Sequence, residues 1–377
     1  AHKVSGALVI ENKRLSIEPL NMEVTGNPFV GSLKYDLDTG RLDATASGTL
    51  ADLEKTPLGK AFKELSIGGS ANIRCTANRN AERYVVDAEV DATQAELKYK
   101  DWLSKSPGVG ASAEKLHMEI GPGQSIVISA EGRVATSPFA FDTKLIRNKG
   151  KWLPQTASVS SKRIDIDAFG KLLKIPYRIS GGAITNGKLD WSRKAGENLE
   201  WQAVFTADVD RFALLSEGSS STLGGDGVQV EVTLDGGPAA SGTLKLRAKK
   251  AQAPPLREKW FAAFKPDEVF ASSSRSWALD LAVDALELPP WKGSDFKGSA
   301  YTNSAESGLK SFSARIDGGG SVNGSYRNVK EENAYDMTFE WDAIPARYLL
   351  EQLNYPKILS GATTGEASYS MDRDDPG

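Results

Sequence analysis

Apolar and polar residues alternate with a period of two along most of this chain. Val228, Val230, Val232 and Leu234 alternate with Gln229, Glu231, Thr233 and Asp235. Tyr84, Val86, Ala88 and Val90 alternate with Val85, Asp87, Glu89 and Asp91, and Leu244, Leu246 and Ala248 with Thr243, Lys245, Arg247 and Lys249. Trp201, Ala203, Phe205, Ala207 and Val209 keep the same rhythm, as do Leu279, Leu281 and Val283, and Met337, Phe339 and Trp341. Successive side chains of a strand point to opposite faces, so this rhythm marks strands with one buried face. Turn formers punctuate the runs: Asp38-Thr39-Gly40, Asn148-Lys149-Gly150, Asp235-Gly236-Gly237 and Asp317-Gly318-Gly319-Gly320. Gly and Asn tolerate the positive φ that tight hairpins demand, which predicts a long antiparallel meander.

Helical pattern is scarce. Thr56-Pro57 reads as an N-cap followed by Pro at the first helical position, with Leu58, Phe62 and Leu65 on one face. Pro255 opens a second stripe of Leu256, Trp260, Phe261 and Phe264, and two more short helices are expected from Asp167 and near Pro345. None exceeds about three turns, so they cap something rather than form a layer. The expected fold is mainly β: an elongated, curved antiparallel sheet forming an open groove, with a few short capping helices.

A degenerate repeat links these helices to the strands. Asp167-Ala168-Phe169 leads to Leu172-Leu173, then Ile179-Ser180-Gly181-Gly182, and Gly187 opens the strand of Leu189 and Trp191. Asp342-Ala343-Ile344 leads to Leu349-Leu350, then Leu359-Ser360-Gly361, Gly365 and Tyr369. A looser copy runs from Asp52-Leu53 through Phe62 to Leu65-Ser66-Ile67-Gly68-Gly69. The sequence divides accordingly into a first segment over 1–166, a second over 167–341, and the start of a further one over 342–377.

This succession of strand, Asp-Ala-Phe/Ile, Leu-Leu helix and apolar-Ser-Gly turn resembles the AsmA-like proteins, relatives of TamB in the repeating β-groove class. The motifs that carry the resemblance cover 160–193 and 337–371. It implies a protein of the Gram-negative envelope, anchored to the inner membrane by a helix outside this sequence, with its sheet in the periplasm. It further implies an apolar groove that carries phospholipid between inner and outer membranes in outer-membrane biogenesis. Tyr84, Val86, Val90, Phe205, Val228, Val230, Val232, Leu279, Leu281, Phe339 and Trp341, the clearest apolar members of alternating strands, are the expected groove lining.

Composition narrows the alternatives. In 377 residues, 46 basic and 49 acidic side chains leave a formal charge of −3. No basic excess is available to displace counterions, which argues against nucleic acid. The one cysteine, Cys75, excludes an intrachain disulfide and a thiolate zinc site, and two histidines, His2 and His117, leave little for histidine chemistry. No apolar run approaches the ~18 residues of a spanning helix. A start at Ala1 and an end at Asp-Asp-Pro-Gly read as an excised fragment.

Catalytic patterns are missing as well. Gly319-Gly320-Ser321-Val322-Asn323 lacks the last Gly of a nucleophile elbow, and Gly224-Gly225-Asp226-Gly227 lacks the Lys-Ser/Thr of a phosphate loop. Asp208 with Asp210, and Asp165 with Asp167, share the wet face of a strand rather than a calcium site. His117 reads as a sheet histidine, and the acidic cluster Asp372–Asp375 and the Asn323-Gly324-Ser325 sequon carry no weight. No enzyme activity, cofactor or metal is expected. About 20 strands at ~4.8 Å spacing make a sheet of roughly 100 Å. With no helical layer to cover it, its apolar face is expected to fold on itself. It does so either as a gutter for acyl chains or as tandem β-sandwiches of a scaffold or adhesion module, and small inward residues such as Ala44, Ala46, Ala88, Ala203 and Ala207 suit both.

Overall fold

The computed structural model describes residues 3–55, 65–80, 82–100, 103–122, 125–148, 150–172, 177–193, 200–216, 222–237, 240–253, 276–288, 291–329, 334–352, 356 and 358–372. They form 24 strands and two short α-helices, so the protein is mainly β, built of open, curved sheet that closes into no barrel. The chain divides into two units, residues 1–175 with 188–193, and residues 176–187 with 194–377.

The first unit is a ladder of ten strands in which each pairs antiparallel with the next. In order they are β1 (Val4–Glu11), β2 (Arg14–Val24), β3 (Asn27–Asp36), β4 (Leu42–Leu50), β6 (Ala71–Asn80), β7 (Arg83–Asp91), β10 (Ala111–Gly121), β11 (Ser125–Val134), β12 (Ser137–Asn148) and β13 (Lys151–Asp165). A separate three-stranded sheet joins β5 (Leu65–Gly69), β8 (Ala95–Tyr99) and β9 (Leu103–Lys105). The alternation of the sequence and the Asp-Thr-Gly type of turn specify the ladder locally. Between β3 and β4, Asp36 Oδ1 accepts from the Asp38 and Thr39 backbone N–H groups at 3.1 and 2.9 Å, and Gly40 supplies φ +67°.

The second unit begins at β14 (Tyr177–Ser180), which pairs with β16 (Trp201–Ser216), while β15 (Ala183–Arg193) falls across the division. From β16 the ladder continues through β17 (Thr222–Gly236), β18 (Ser241–Gln252), β19 (Ser276–Leu288), β20 (Trp291–Thr302), β21 (Glu306–Ile316), β22 (Ser321–Val329), β23 (Ala334–Pro345) and β24 (Ala362–Asp372). One pairing departs from the expected antiparallel order: β18 and β19 run parallel, with Leu244 beside Leu279 and Leu246 beside Leu281. Parallel neighbours need a crossover of a dozen or more residues. Gln252 and Ser276 are separated by 23 residues, enough for one.

Two of the expected helices are present. Helix α1 (Ile166–Gly170) begins one residue before the expected Asp167, because Asp165 is the N-cap and accepts from the Ala168 N–H at 2.8 Å. Helix α2 (Ala346–Gln352) follows Pro345. The helices expected from Pro57 and Pro255 lie outside the described residues, except that Leu65, placed on the face of the first, instead opens strand β5.

Candidate functional site

Cross-strand register decides which side chains share a face, because residues directly opposite each other point the same way. In the second unit one register row runs Ala207, Val230, Leu246, Leu281, Gly298, Phe312, Gly324, Phe339, Ala367. It crosses nine strands, β16 to β24, without a polar residue. At ~4.8 Å per strand it is about 38 Å long. Phe205, Val232, Leu244 and Leu279 form a shorter row beside it, and Val322 and Trp341 extend it on the other side. The expected lining residues Phe205, Val228, Val230, Val232, Leu279, Leu281, Phe339 and Trp341 therefore share one apolar face.

The first unit repeats the arrangement. Leu8, Ile17, Leu33, Ala44, Ala77, Val86, Met118, Ile128, Thr143 and Ala157 form a row across all ten strands of its ladder. Thr143 is its one polar member, and its hydroxyl is satisfied by donating to the Thr156 carbonyl at 2.8 Å. Of the expected lining, Val86 lies in this row and Tyr84 and Val90 lie on the same face, beside Ile120 and Ala113.

Burial across these faces is uneven in a way that bears on function. The central rows are half-buried, apart from exposed Leu8 and Ala367 at the outer strands and buried Ala207. Burial is deepest along one border, although Ala203, on the other side of the second unit's central row, is also buried. In the second unit Val228, Ala248 and Val283 form a buried cluster with Phe212, Leu286 and Phe296 against it, and Ile344 and Ala346 are buried where β23 meets α2. In the first unit Phe29, Leu50 and Ala71 are sealed by Leu53 of a 3-10 turn and by Ile67 and Ala95 of the small sheet. Among the described residues the other border is the more open one. Tyr84 is 42% exposed in the first unit, and Met337 and Tyr369 are 45% and 50% exposed in the second. In a closed sandwich the middle row is the most deeply buried; here it is not.

The opposite face is a lattice of cross-strand ion pairs. Lys245 meets Glu231 at 2.8 Å, Arg74 meets Glu89 at 3.1 Å, and Lys115 meets Glu131 at 2.8 Å. His117 Nδ1 lies 2.7 Å from Asp87 Oδ1 on this face, as a sheet histidine. Two shallow depressions here, of about 550 and 780 Å³, are lined by such groups. In the larger one Arg327 meets Glu306 at 2.8 Å, Lys310 lies over the Tyr301 ring at 5.6 Å, and Asp336 accepts from the Ser370 hydroxyl. Asp208, weighed above as a carboxylate ligand, accepts from the Asn186 and Gln229 side-chain amides. Among the described residues no group of three or more His, Cys, Asp or Glu could hold a metal ion.

Sequence reading missed Lys105. It is 2% exposed, and its ammonium donates to the carbonyls of Ala92, Thr93 and Ala95 at 3.2, 3.2 and 2.6 Å. It clasps the turn between β7 and β8 and so fixes the small sheet that seals the border. Loss of solvent holds its pKa below the ordinary 10.5, partly offset by the carboxylate of Asp91. A lysine in a three-residue strand gives no pattern by which to find this. Cys75 lies on the apolar face beside Ala46 and Ala88, and burial pushes its thiol pKa up. No helix among the described residues is long and apolar enough to cross a membrane. Compared with protein-family models, curated proteins and solved structures, the chain matches none of them.

Proposed function

We propose that the apolar face of each unit is a trough for lipid acyl chains, and that the protein carries phospholipid between the inner and outer membranes of a Gram-negative envelope. One observation carries the reading: the apolar row from Ala207 to Ala367 crosses nine strands and stays half-buried for most of its length. A row of about 38 Å exceeds one acyl chain, which spans about half of a ~30 Å hydrocarbon core. Every buried CH₂ contributes about 0.8 kcal/mol, so an apolar lane binds chains without a polar contact. With one border sealed and the other open, chains enter from the side while headgroups stay in water. Such transfer breaks no bond and needs no cofactor. The resemblance to the AsmA-like proteins supports a periplasmic place, with the membrane anchor in another part of a longer protein.

The test is extraction of the purified protein with organic solvent, followed by mass spectrometry. Co-purified phospholipid at one or more molecules per chain is expected. A protein free of lipid, and unable to take it up from vesicles of phosphatidylethanolamine and phosphatidylglycerol, contradicts the proposal.

A further inference from the structure

Three tryptophans on the apolar face of the second unit each lie across the glycine opposite them in the neighbouring strand. Trp201 is paired with Gly236, Trp277 with Gly242, and Trp341 with Gly365. A Cβ placed on Gly242 comes within 2.5 Å of the Trp277 ring, and one on Gly365 within 2.5 Å of the Trp341 ring. At Gly236 the Trp201 indole leaves still less room. None of the three glycines has a positive φ, so the backbone does not ask for glycine there. Inside a strand glycine is unfavourable, having no side chain to pack and the most freedom to lose. What requires it is the ring. The Trp341 indole N–H is buried without a hydrogen-bond partner among the described residues, as expected of a ring pressed onto a sheet rather than turned to water.

Their placement gives the pairs a role. Trp277 lies two face positions from Leu281 of the central row, toward the open border, and Trp341 lies next to Phe339, toward the sealed one. The rings thus flank the row on both sides. Lying flat, an indole adds only its thickness to the floor; tipped up, it presents its full length across the lane.

We infer that the tryptophan–glycine pairs are the residues that set the depth of the acyl lane, the glycines holding the indoles down so that chains pass over them. This rests on the lipid-trough reading above. A methyl group on Gly242 or Gly365 must displace the ring by about 0.9 Å to reach ordinary contact at 3.4 Å. The branched side chain of valine lifts it further. Displacement away from the sheet carries the ring into the lane.

The experiment compares wild type, Gly242→Val, Gly365→Val and the double variant Gly365→Val/Trp341→Ala, each loaded from vesicles of phosphatidylethanolamine and phosphatidylglycerol. Lipid per protein is counted by extraction and mass spectrometry, beside thermal melting. Each single variant is expected to lose at least half of the wild-type lipid load while remaining folded, and removal of the Trp341 ring is expected to restore it. If the valine variants do not fold, Gly242→Ala and Gly365→Ala carry the same comparison, since the Cβ alone meets the ring. Folded variants with a full load, or a loss that Trp341→Ala fails to rescue, overturn the inference and leave the trough standing. A wild-type protein that takes up no lipid overturns the trough itself.

Discussion

Val228 and Val232 lie on the same strand and face, four residues apart, yet a carboxylate should have opposite consequences at the two. Val228 is 2% exposed, within the sealed cluster of Ala248 and Val283. An aspartate there must either ionise without water or take up a proton. Staying neutral at pH 7 means raising its pKa by about 3 units from ~3.9, at 1.36 kcal/mol per unit, or about 4 kcal/mol. Losing the apolar burial of the valine adds about 2 kcal/mol. A total near 6 kcal/mol is a large part of a domain's usual 5–15 kcal/mol. Because the folded-state pKa is raised, the penalty is smallest below the unfolded value and grows as pH rises through the folded one. Val232 is half-buried in the lane between Phe205 and Leu244. Its carboxylate reaches water, and the cost falls to about 1 kcal/mol of lost burial. Val228→Asp should therefore unfold the second unit at pH 7 and recover part of its stability at pH 4. Val232→Asp should melt nearly as wild type does but bind little lipid. Urea unfolding followed by circular dichroism, at both pH values, and lipid counting read the two effects apart. If Val232→Asp unfolds like Val228→Asp, the face is a sealed core; if it keeps its lipid, the lane is elsewhere.

Replacing Lys105 by Met removes three charged hydrogen bonds, two of them to carbonyls that also accept from the Ala95 and Gly108 backbone N–H groups, at a cost of about 2 kcal/mol to the small sheet. Hydrogen exchange of β8 amides should quicken about 30-fold, and unchanged exchange would show that the clasp holds nothing. Cys75, half-buried on the apolar face with its thiol pKa raised, should react slowly with a maleimide in lipid-loaded protein and faster after delipidation; equal rates would place it off the lipid path. Backbone hydrogen bonds from Thr39 and Asp38 hold the Asp36 pKa below the ordinary 3.8. The stability this carboxylate contributes is present above the unfolded value and lost as pH falls through the folded one. The Thr39 amide signal in NMR should titrate with a midpoint below 3.8, and a midpoint above it contradicts the hydrogen-bonded turn.

Much of this face is legible in the sequence because strand periodicity is a local property. Val228 to Leu234 announces which of its side chains share a face before any partner is known. Pairing is not local. Nothing in Leu244 or Leu279 says that β18 lies parallel to β19, since parallel and antiparallel neighbours keep the same alternation; only the long interval from Gln252 to Ser276 hints at it. The spacing of Leu65 from Leu58 and Phe62 suits a helix face, yet tertiary pairing with Tyr99 makes it a strand residue. Asp165 and Asp167 are both acidic, so the pattern alone does not say which one caps the helix; the extended backbone at Asp165 does. The tryptophan–glycine pairs were beyond reach for the same reason as the parallel pairing: Trp277 and Gly242 are 35 positions apart, and only register brings them together.

The central claim, that acyl chains lie on the apolar face and not on the charged one, is tested most directly by photocrosslinking in cells. A photoreactive residue is placed at Leu279 in the apolar lane, and another at Lys245, on the neighbouring strand but facing the ion-pair lattice. The account predicts phospholipid adducts at Leu279 and none above background at Lys245. Equal adducts at both positions, or adducts at Lys245 alone, would contradict it.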